Sequence, residues 1–297
     1  MKRIRIGVLA GLGILLLVEL IGRHYGLTTY PLYDASAEFE YVLKPNQRVT
    51  IYRNRFETNT FSMRSKPVSS GDSTVVLLLG DSVVNGGNAV DQDSLASSLL
   101  EEELFLKYGK KIRVLNISDK TWSPDNVVAY LKKFGLFQAD MLLLVANSGD
   151  AFDPMTFRPV VGVAPTHPAE NHLFAWQSLW DKMAPMLMEK IAVKPEIVPL
   201  VEKKEPFVKG FSDLDSLAHR LQIPLSLYLH RTQSELRAHT LDEGGVAIVD
   251  FCKRKQIPFT INTFQSDFFI DDIHLNHKGQ RALAKDLLPI ICQGLKL

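Results

Sequence analysis

Val75-Val76-Leu77-Leu78-Leu79-Gly80-Asp81-Ser82 is the stretch that decides the architecture. Its apolar run has no polar interruption, the pattern of a strand covered on both faces by helices in a parallel sheet. The run stops at a glycine, an acid and a serine. A hydroxyl placed there lies just past the carboxyl end of a strand, where open α/β sheets bind their ligands.

Downstream, strands and helices alternate. A helix is predicted over Leu95–Tyr108, with Asp93 or Ser94 as its N-cap and Gly109 after its end. A strand follows at Arg113–Ile117, a helix at Asn126–Phe134 capped by Asp125, and a second uninterrupted apolar strand at Met141–Ala146. After a helix ending over Ser216–Gln222 come a strand at Pro224–Leu229, a helix at Val246–Lys255, a strand at Pro258–Thr263 and a terminal helix at His277–Leu295. This alternation predicts an α/β fold: a flavodoxin-like three-layer sandwich around a five-stranded parallel sheet, of strand order 2-1-3-4-5. Ser82 then sits beside the switch point between the first and third strands.

Upstream, Tyr30–Ser69 reads as β-rich, with short strands at Tyr41–Leu43, Val49–Tyr52 and Phe61–Met63 and a turn at Pro45-Asn46. Residues 148–212 interrupt the alternation. They are rich in proline and helical between Ala169 and Val193. A segment of that length between strands is expected to carry its own structure, as a packed helical insertion or as a side wall or lid over the strand ends. The expected organisation is a signal-anchor over 1–26, a β-rich extension over 27–73 and the α/β domain over 74–297.

At the N-terminus, Lys2, Arg3 and Arg5 precede an apolar run from Ile6 to Gly22 whose one charge is Glu19. At about 17 residues the run reaches the short limit for spanning a bilayer. No small-residue cleavage site follows, so it reads as an uncleaved anchor with its basic end in the cytoplasm and the rest of the chain outside, in the periplasm of a Gram-negative cell. The net charge of +1 gives no electrostatic argument for a nucleic-acid partner, no motif or basic face supports one, and none is expected. Cys252 and Cys292 are too few for a disulfide framework and read as two buried thiols or a single bridge.

The chemistry-bearing residues are Ser82 and, nearly two hundred residues on, Asp271 and His274. A carboxylate three residues before a histidine can orient the imidazole while its other nitrogen faces a serine. Asp272 and His277 compete for the same roles, His277 more simply as part of the helix start. These four acids and histidines lack the defined ligand set of a zinc site, so no metal or cofactor is expected.

Gly80-Asp81-Ser82 resembles the first block of the SGNH (GDSL-type) hydrolase superfamily, and Asp271-x-x-His274 its last, with Leu275-Asn276-His277-Lys278-Gly279 in the same style. Leu43-Lys44-Pro45-Asn46 and Thr58-Asn59-Thr60-Phe61-Ser62-Met63-Arg64 resemble the preface of membrane-anchored bacterial members, many of them tied to exopolysaccharide or cell-envelope systems. The resemblance covers 40–147 and 215–295. It implies Ser82 as nucleophile, His274 as proton carrier and Asp271 as its orienting acid. It also implies an oxyanion hole from the N–H groups of Ser82 and Ser118 and the Asn147 carboxamide. Two blocks depart from the family's pattern. Asn116-Ile117-Ser118 stands where a glycine is usual. In Asn147-Ser148-Gly149-Asp150 either Asn147 or Gly149 takes the place of the usual asparagine, and the second alignment lacks the side-chain donor, which is worth on the order of 3 kcal/mol. Trp122 is either a sugar-stacking ring or a packed aromatic.

The resemblance implies a serine esterase acting on O-acetyl or other ester groups of a polysaccharide, or on a small ester, with a sugar hydroxyl in place of water giving acetyl transfer. The altered blocks leave open a catalytically weak or inactive protein that binds glycan or organises an export complex. The apolar insertion and the anchor leave open a lipid esterase or thioesterase.

Overall fold

The computed structural model describes residues 2–69, 71, 74–191 and 205–297. A long helix α1 (Lys2–His24) leads into two antiparallel hairpins, β1 (Tyr33–Ser36) with β2 (Glu40–Leu43), and β3 (Arg48–Ile51) with β4 (Asn54–Glu57). The α/β unit follows as β5 (Val75–Gly80), α2 (Ser82–Asn85), α3 (Ala96–Tyr108), β6 (Arg113–Ser118), α4 (Pro124–Phe134) and β7 (Met141–Asn147). It continues through α5 (Ala175–Ile191), α6 (Gly210–Leu221), β8 (Leu225–His230), α7 (Gln233–Ala238), α8 (Glu243–Lys255), β9 (Phe259–Ile261) and α9 (His277–Gly294). The five strands pair in parallel as β6-β5-β7-β8-β9, the order expected from the sequence.

The period of two along each strand divides the core into two layers. Val75, Leu77 and Leu79 of β5 and Leu142, Leu144 and Ala146 of β7 face α4, α6 and α8, which supply Val127, Leu131, Phe211, Leu214, Ile248 and Phe251. Val76 and Leu78, with Leu143 and Val145, face α2, α3 and α9 through Val83, Leu100, Leu104, Leu283 and Leu287. Every residue of β5, β6 and β7 is buried, so both faces of these strands contribute about 1.5–3 kcal/mol per large side chain. The hairpins close one edge of the first layer with Tyr33, Phe39, Tyr41, Leu43 and Phe56, joined by Met63 from the loop that follows.

Several local expectations are corrected. Phe61–Met63 is a loop, because Asn59 Oδ1 accepts from the N–H groups of Phe61 (2.9 Å) and Met63 (3.1 Å) and Ser62 takes φ +65°. β1 and β4 were not anticipated, and neither was α7. α3 starts at Ala96 without a side-chain cap, its first N–H going to Gln280 Oε1 of α9 at 2.9 Å. α4 is capped by Ser123 with Asn126 in a capping box, while Asp125 turns away to accept from Gly210 N at 2.6 Å. Both cysteines are free, Cys252 buried and Cys292 within 3.1 Å of the Tyr108 hydroxyl. Of the predicted helix over Ala169–Val193, Val193 lies outside the described residues and the observed helix begins at Ala175. The segment Ile4–His24, 21 residues long, is apolar and long enough to cross a membrane.

Candidate active site

The site is assembled at the carboxyl ends of the strands. β5 ends at Gly80, where a Cβ would lie 2.8 Å from the Val145 carbonyl and 2.7 Å from Val84 Cγ2, so only glycine allows α2 to fold back this closely. Asp81 caps α2, its Oδ1 accepting from Val83 N at 2.8 Å. Ser82 is therefore the first helical residue, with an N–H that has no partner within the helix. Its side chain is half-buried.

The loop behind Ser82 is fastened by buried side chains from distant segments. Arg64, 0% exposed, donates from Nη1 to the carbonyls of Asn85 (2.7 Å) and Gly87 (2.8 Å) and from Nη2 to that of Val90 (3.2 Å). Burial pulls its guanidinium down to about 9. Asn116 Nδ2 donates to the Val84 carbonyl (2.9 Å) and Gln280 Nε2 to that of Val83 (2.7 Å). Arg64 had appeared in the sequence only as part of the preface, and Gln280 not at all. A buried cation 18 residues before Ser82 carries no local signal.

Asp271 and His274 meet in the loop before α9. Asp271 Oδ2 accepts from His274 Nδ1 at 2.7 Å, and its Oδ1 accepts from the N–H groups of His274 (2.8 Å) and Ile273 (3.0 Å). Partial burial pushes the Asp271 carboxyl up, but these three donors outweigh it and the group ends below its ordinary value. With Nδ1–H committed, Nε2 of His274 is left as the acceptor. The side chains are 54% and 45% exposed, so the pair stands at the surface. Asp272 is engaged elsewhere: its Oδ1 accepts from Ser234 N (2.9 Å) and Oγ (2.7 Å), and its carbonyl from Gln233 N (2.6 Å). His277 begins α9 and accepts at Nε2 from Asp91 N at 3.2 Å.

The residues expected at the oxyanion hole are largely committed. Ser118 ends β6, its hydroxyl bonded to Asn116 Oδ1 and its carbonyl accepting from Asn85 Nδ2. Asn147 ends β7; its Nδ2 donates to Asp81 Oδ2 (2.9 Å) and Asp150 Oδ1 (3.0 Å), and its Oδ1 accepts from Gly149 N (2.7 Å). Both protons of the carboxamide thus go to buried carboxyls. Burial pushes Asp81 up to about 6, against the pull of Val83 N and of the His274 imidazole nearby. Burial and the charge of Asp81 push Asp150 well above its ordinary range. Trp122 is 2% exposed, packed between Phe39 and Tyr130 with Nε1 donating to the Tyr41 carbonyl at 3.1 Å, and it has no open face for a sugar ring.

The topology brings Ser82 and His274 to one end of one sheet. His274 acts on Asp81, the neighbour of Ser82, and α9 touches the loop after Ser82 through Gln280–Val83 and His277–Asp91. Among the described residues no hydrogen bond joins Ser82 to His274. A cavity of about 800 Å³ borders the same end through Asn88 and Lys120. It runs under the N-terminal extension and the insertion, lined by Tyr30, Asn171, His172 and Asp181, and its lining does not include Ser82 or His274. Asp271 and His274 stand at the surface and the cavity lies to one side of them. Among the described residues no group of three or more histidines, cysteines and acids is placed to hold a metal ion.

No family model and no curated protein matches the chain. Among solved structures it is similar to the lipase/acylhydrolase from Enterococcus faecalis, at 13% identity and a TM-score of 0.44 over 73% of this chain and 95% of that one. It is also similar to the psychrotrophic esterase from Pseudoalteromonas sp. (11%, TM-score 0.45, 76% and 100%) and to an acetyl-xylooligosaccharide esterase from Geobacillus Stearmophilus (15%, TM-score 0.41, 74% and 95%).

Proposed function

We propose that this chain is a membrane-anchored serine ester hydrolase of the SGNH type. The observation that carries the reading is the 2.7 Å Asp271–His274 pair standing at the same sheet end as Ser82. In the proposed reaction Ser82 Oγ attacks the ester carbonyl carbon while His274 Nε2 takes its proton. That proton passes to the leaving alkoxide, which departs as the alcohol. Water then attacks the acyl-serine, His274 takes its proton and returns it to Ser82 Oγ, and the free acid leaves. The Ser82 and Ser118 N–H groups are the proposed oxyanion donors. Asn147 would have to release a carboxyl to join them.

The proposed substrate is an O-acetylated polysaccharide outside the cytoplasm. The basic residues at the start of α1 support that orientation. The exposed dyad suits an ester on a polymer too bulky for a closed pocket, and the neighbouring cavity is large enough for part of a glycan chain. The test is turnover of a chromogenic acetyl ester by the detergent-solubilised full chain, with Ser82→Ala as control. Equal rates for the two proteins remove Ser82 as nucleophile.

The double commitment of the Asn147 carboxamide favours a second reading, a glycan-binding protein of this fold with little or no turnover. That reading expects glycan binding to survive loss of Ser82 and His274. Covalent capture of Ser82 by a fluorophosphonate counts against it.

A further inference from the structure

α5 carries Trp176, Trp180, Met183 and Leu187 away from the protein. Its inner face is made by Ala175 and Ser178, both buried, and by Leu179, packed with Leu27 and Ile51; Ser178 Oγ donates to the Leu27 carbonyl at 2.6 Å. On a separate face, Trp176, Trp180, Met183 and Leu187 recur at spacings of four, three and four residues, a single helical stripe. All are exposed, Trp180 to 62%, and Leu173 and Phe174 continue the stripe at its start, Phe174 stacking on Trp176. Among the described residues nothing covers it. A run of this kind marks a surface made for an apolar neighbour.

The position of α5 says which neighbour. Its first turn is seated against the last turns of α1. Glu19 Oε2 accepts from Ala175 N (2.7 Å) and Trp176 N (3.4 Å), and its Oε1 accepts from Arg23 Nε (2.6 Å). Arg23 Nη2 in turn donates to the Leu173 carbonyl at 2.7 Å. A Cβ on Gly22 would come within 2.5 Å of Ala175 Cβ, so the two helices touch as closely as a glycine permits. Glu19 lies about 7 Å along the axis from the end of α1, inside the apolar stretch. The helix that Glu19 caps therefore begins at the depth where acyl chains give way to headgroups. Tryptophans facing outward are the side chains favoured at that depth.

We propose that α5 lies in the membrane interface, with Trp176, Trp180, Met183 and Leu187 dipping into the acyl boundary of the bilayer that holds α1. The inference rests on the reading of α1 as a membrane-spanning helix, and its partner is a lipid surface. Since Ser178, Asp181 and Ala184 of the same helix line the cavity, α5 sets the height of that cavity above the bilayer. The insertion expected as a packed helical piece or as a side wall or lid is then a helix whose outer face is a lipid contact.

The test uses the full chain reconstituted in phosphatidylcholine vesicles carrying bromine near the headgroup end of the acyl chain, a quencher of tryptophan emission. Of the three tryptophans, Trp122 is sealed in the core. Emission is expected to fall about twofold in the brominated vesicles, and less with bromine near the terminal methyl, as for a helix lying in the interface. The Trp176→Phe/Trp180→Phe variant should lose this response, and aqueous iodide should quench the wild type poorly in vesicles. Unchanged emission in a protein that floats with the vesicles overturns the proposal and leaves the anchor standing, as does ready quenching by iodide. A response retained by the double variant also overturns it. Failure to float with vesicles overturns the anchor reading and this one with it.

Discussion

The His230 imidazole, 0% exposed at the end of β8, donates from Nε2 to the carbonyl of Ile273 at 2.9 Å. Ile273 is the residue before His274, so a strand of the sheet holds up the loop that carries the Asp271–His274 pair. The carbonyl can only accept, which fixes the proton on Nε2 and leaves Nδ1 facing Asn262 Nδ2 at 3.4 Å. Burial pulls this imidazole down to about 4.

His230→Ala should therefore leave a buried carbonyl unpaired, at about 1–3 kcal/mol, and loosen the dyad. The expected result is a lower melting temperature together with a fall in kcat on an acetyl ester, both partly restored by His230→Gln, whose amide is a donor. Wild-type kcat in the alanine variant would remove the positioning role. The pH sign is definite: with a folded value near 4 and an ordinary one near 6.5, the contribution is whole above pH 6.5 and is lost as pH falls toward 4. His230→Gln should flatten that part of the acid-side melting curve.

Arg64 is the second such support. Its guanidinium satisfies three carbonyls of the loop after Ser82, and no alkyl or ammonium group can reach all three in that fork. Arg64→Lys should cost about 3 kcal/mol or more of stability and reduce fluorophosphonate labelling of Ser82, measured by denaturant unfolding and by labelling rate. A lysine variant that is as stable as wild type would show the carbonyls are satisfied in another way.

Asn147 and Ser118 should separate cleanly. Asn147→Ala leaves Asp81 Oδ2 and Asp150 Oδ1 without their donor in the core, so both melting temperature and turnover should fall. Ser118→Ala keeps the backbone N–H and loses only the hydroxyl bond to Asn116, so turnover should change by less than about threefold. If Asn147→Ala instead loses rate at full stability, its carboxamide is an oxyanion donor in the working enzyme.

Asp119, buried immediately after Ser118, makes stability depend on pH in the opposite sense to His230. Its Oδ1 accepts from Lys120 N (2.7 Å) and its Oδ2 from Leu43 N (3.0 Å), yet burial outweighs these donors and pushes the carboxyl up to about 7. Between 3.8 and about 7 the folded state keeps a proton that the unfolded chain has lost, so stability falls as pH rises through that window and is flat above it. The gap corresponds to at most about 4 kcal/mol. Asp119→Asn should gain on wild type steadily from pH 4 to 7, read as the difference between their unfolding free energies. A difference that is constant with pH would place the proton elsewhere.

Some of this was legible in the chain because it is local. The apolar runs of β5 and β7 declare strands buried on both faces, and the helices between them leave a parallel sheet as the arrangement that covers both. Asp271 and His274 are three residues apart, so a single turn of backbone can join them. Phe61–Met63 read as a strand because nothing in those residues reveals that the Asn59 carboxamide claims their N–H groups.

The amino-acid order alone determined the strands and helices of the α/β alternation, the membrane-length helix and the acid–imidazole spacing, because each depends on neighbours or on a repeating period. Tertiary structure decided that Trp122 is sealed, that Asn147 serves two carboxyls and that Arg64 and His230 carry the two loops of the site, because those contacts join residues far apart in the chain. It also decided the bearing of α5. An amphipathic pattern states which side of a helix is apolar, and only packing against α1 fixes where that side points.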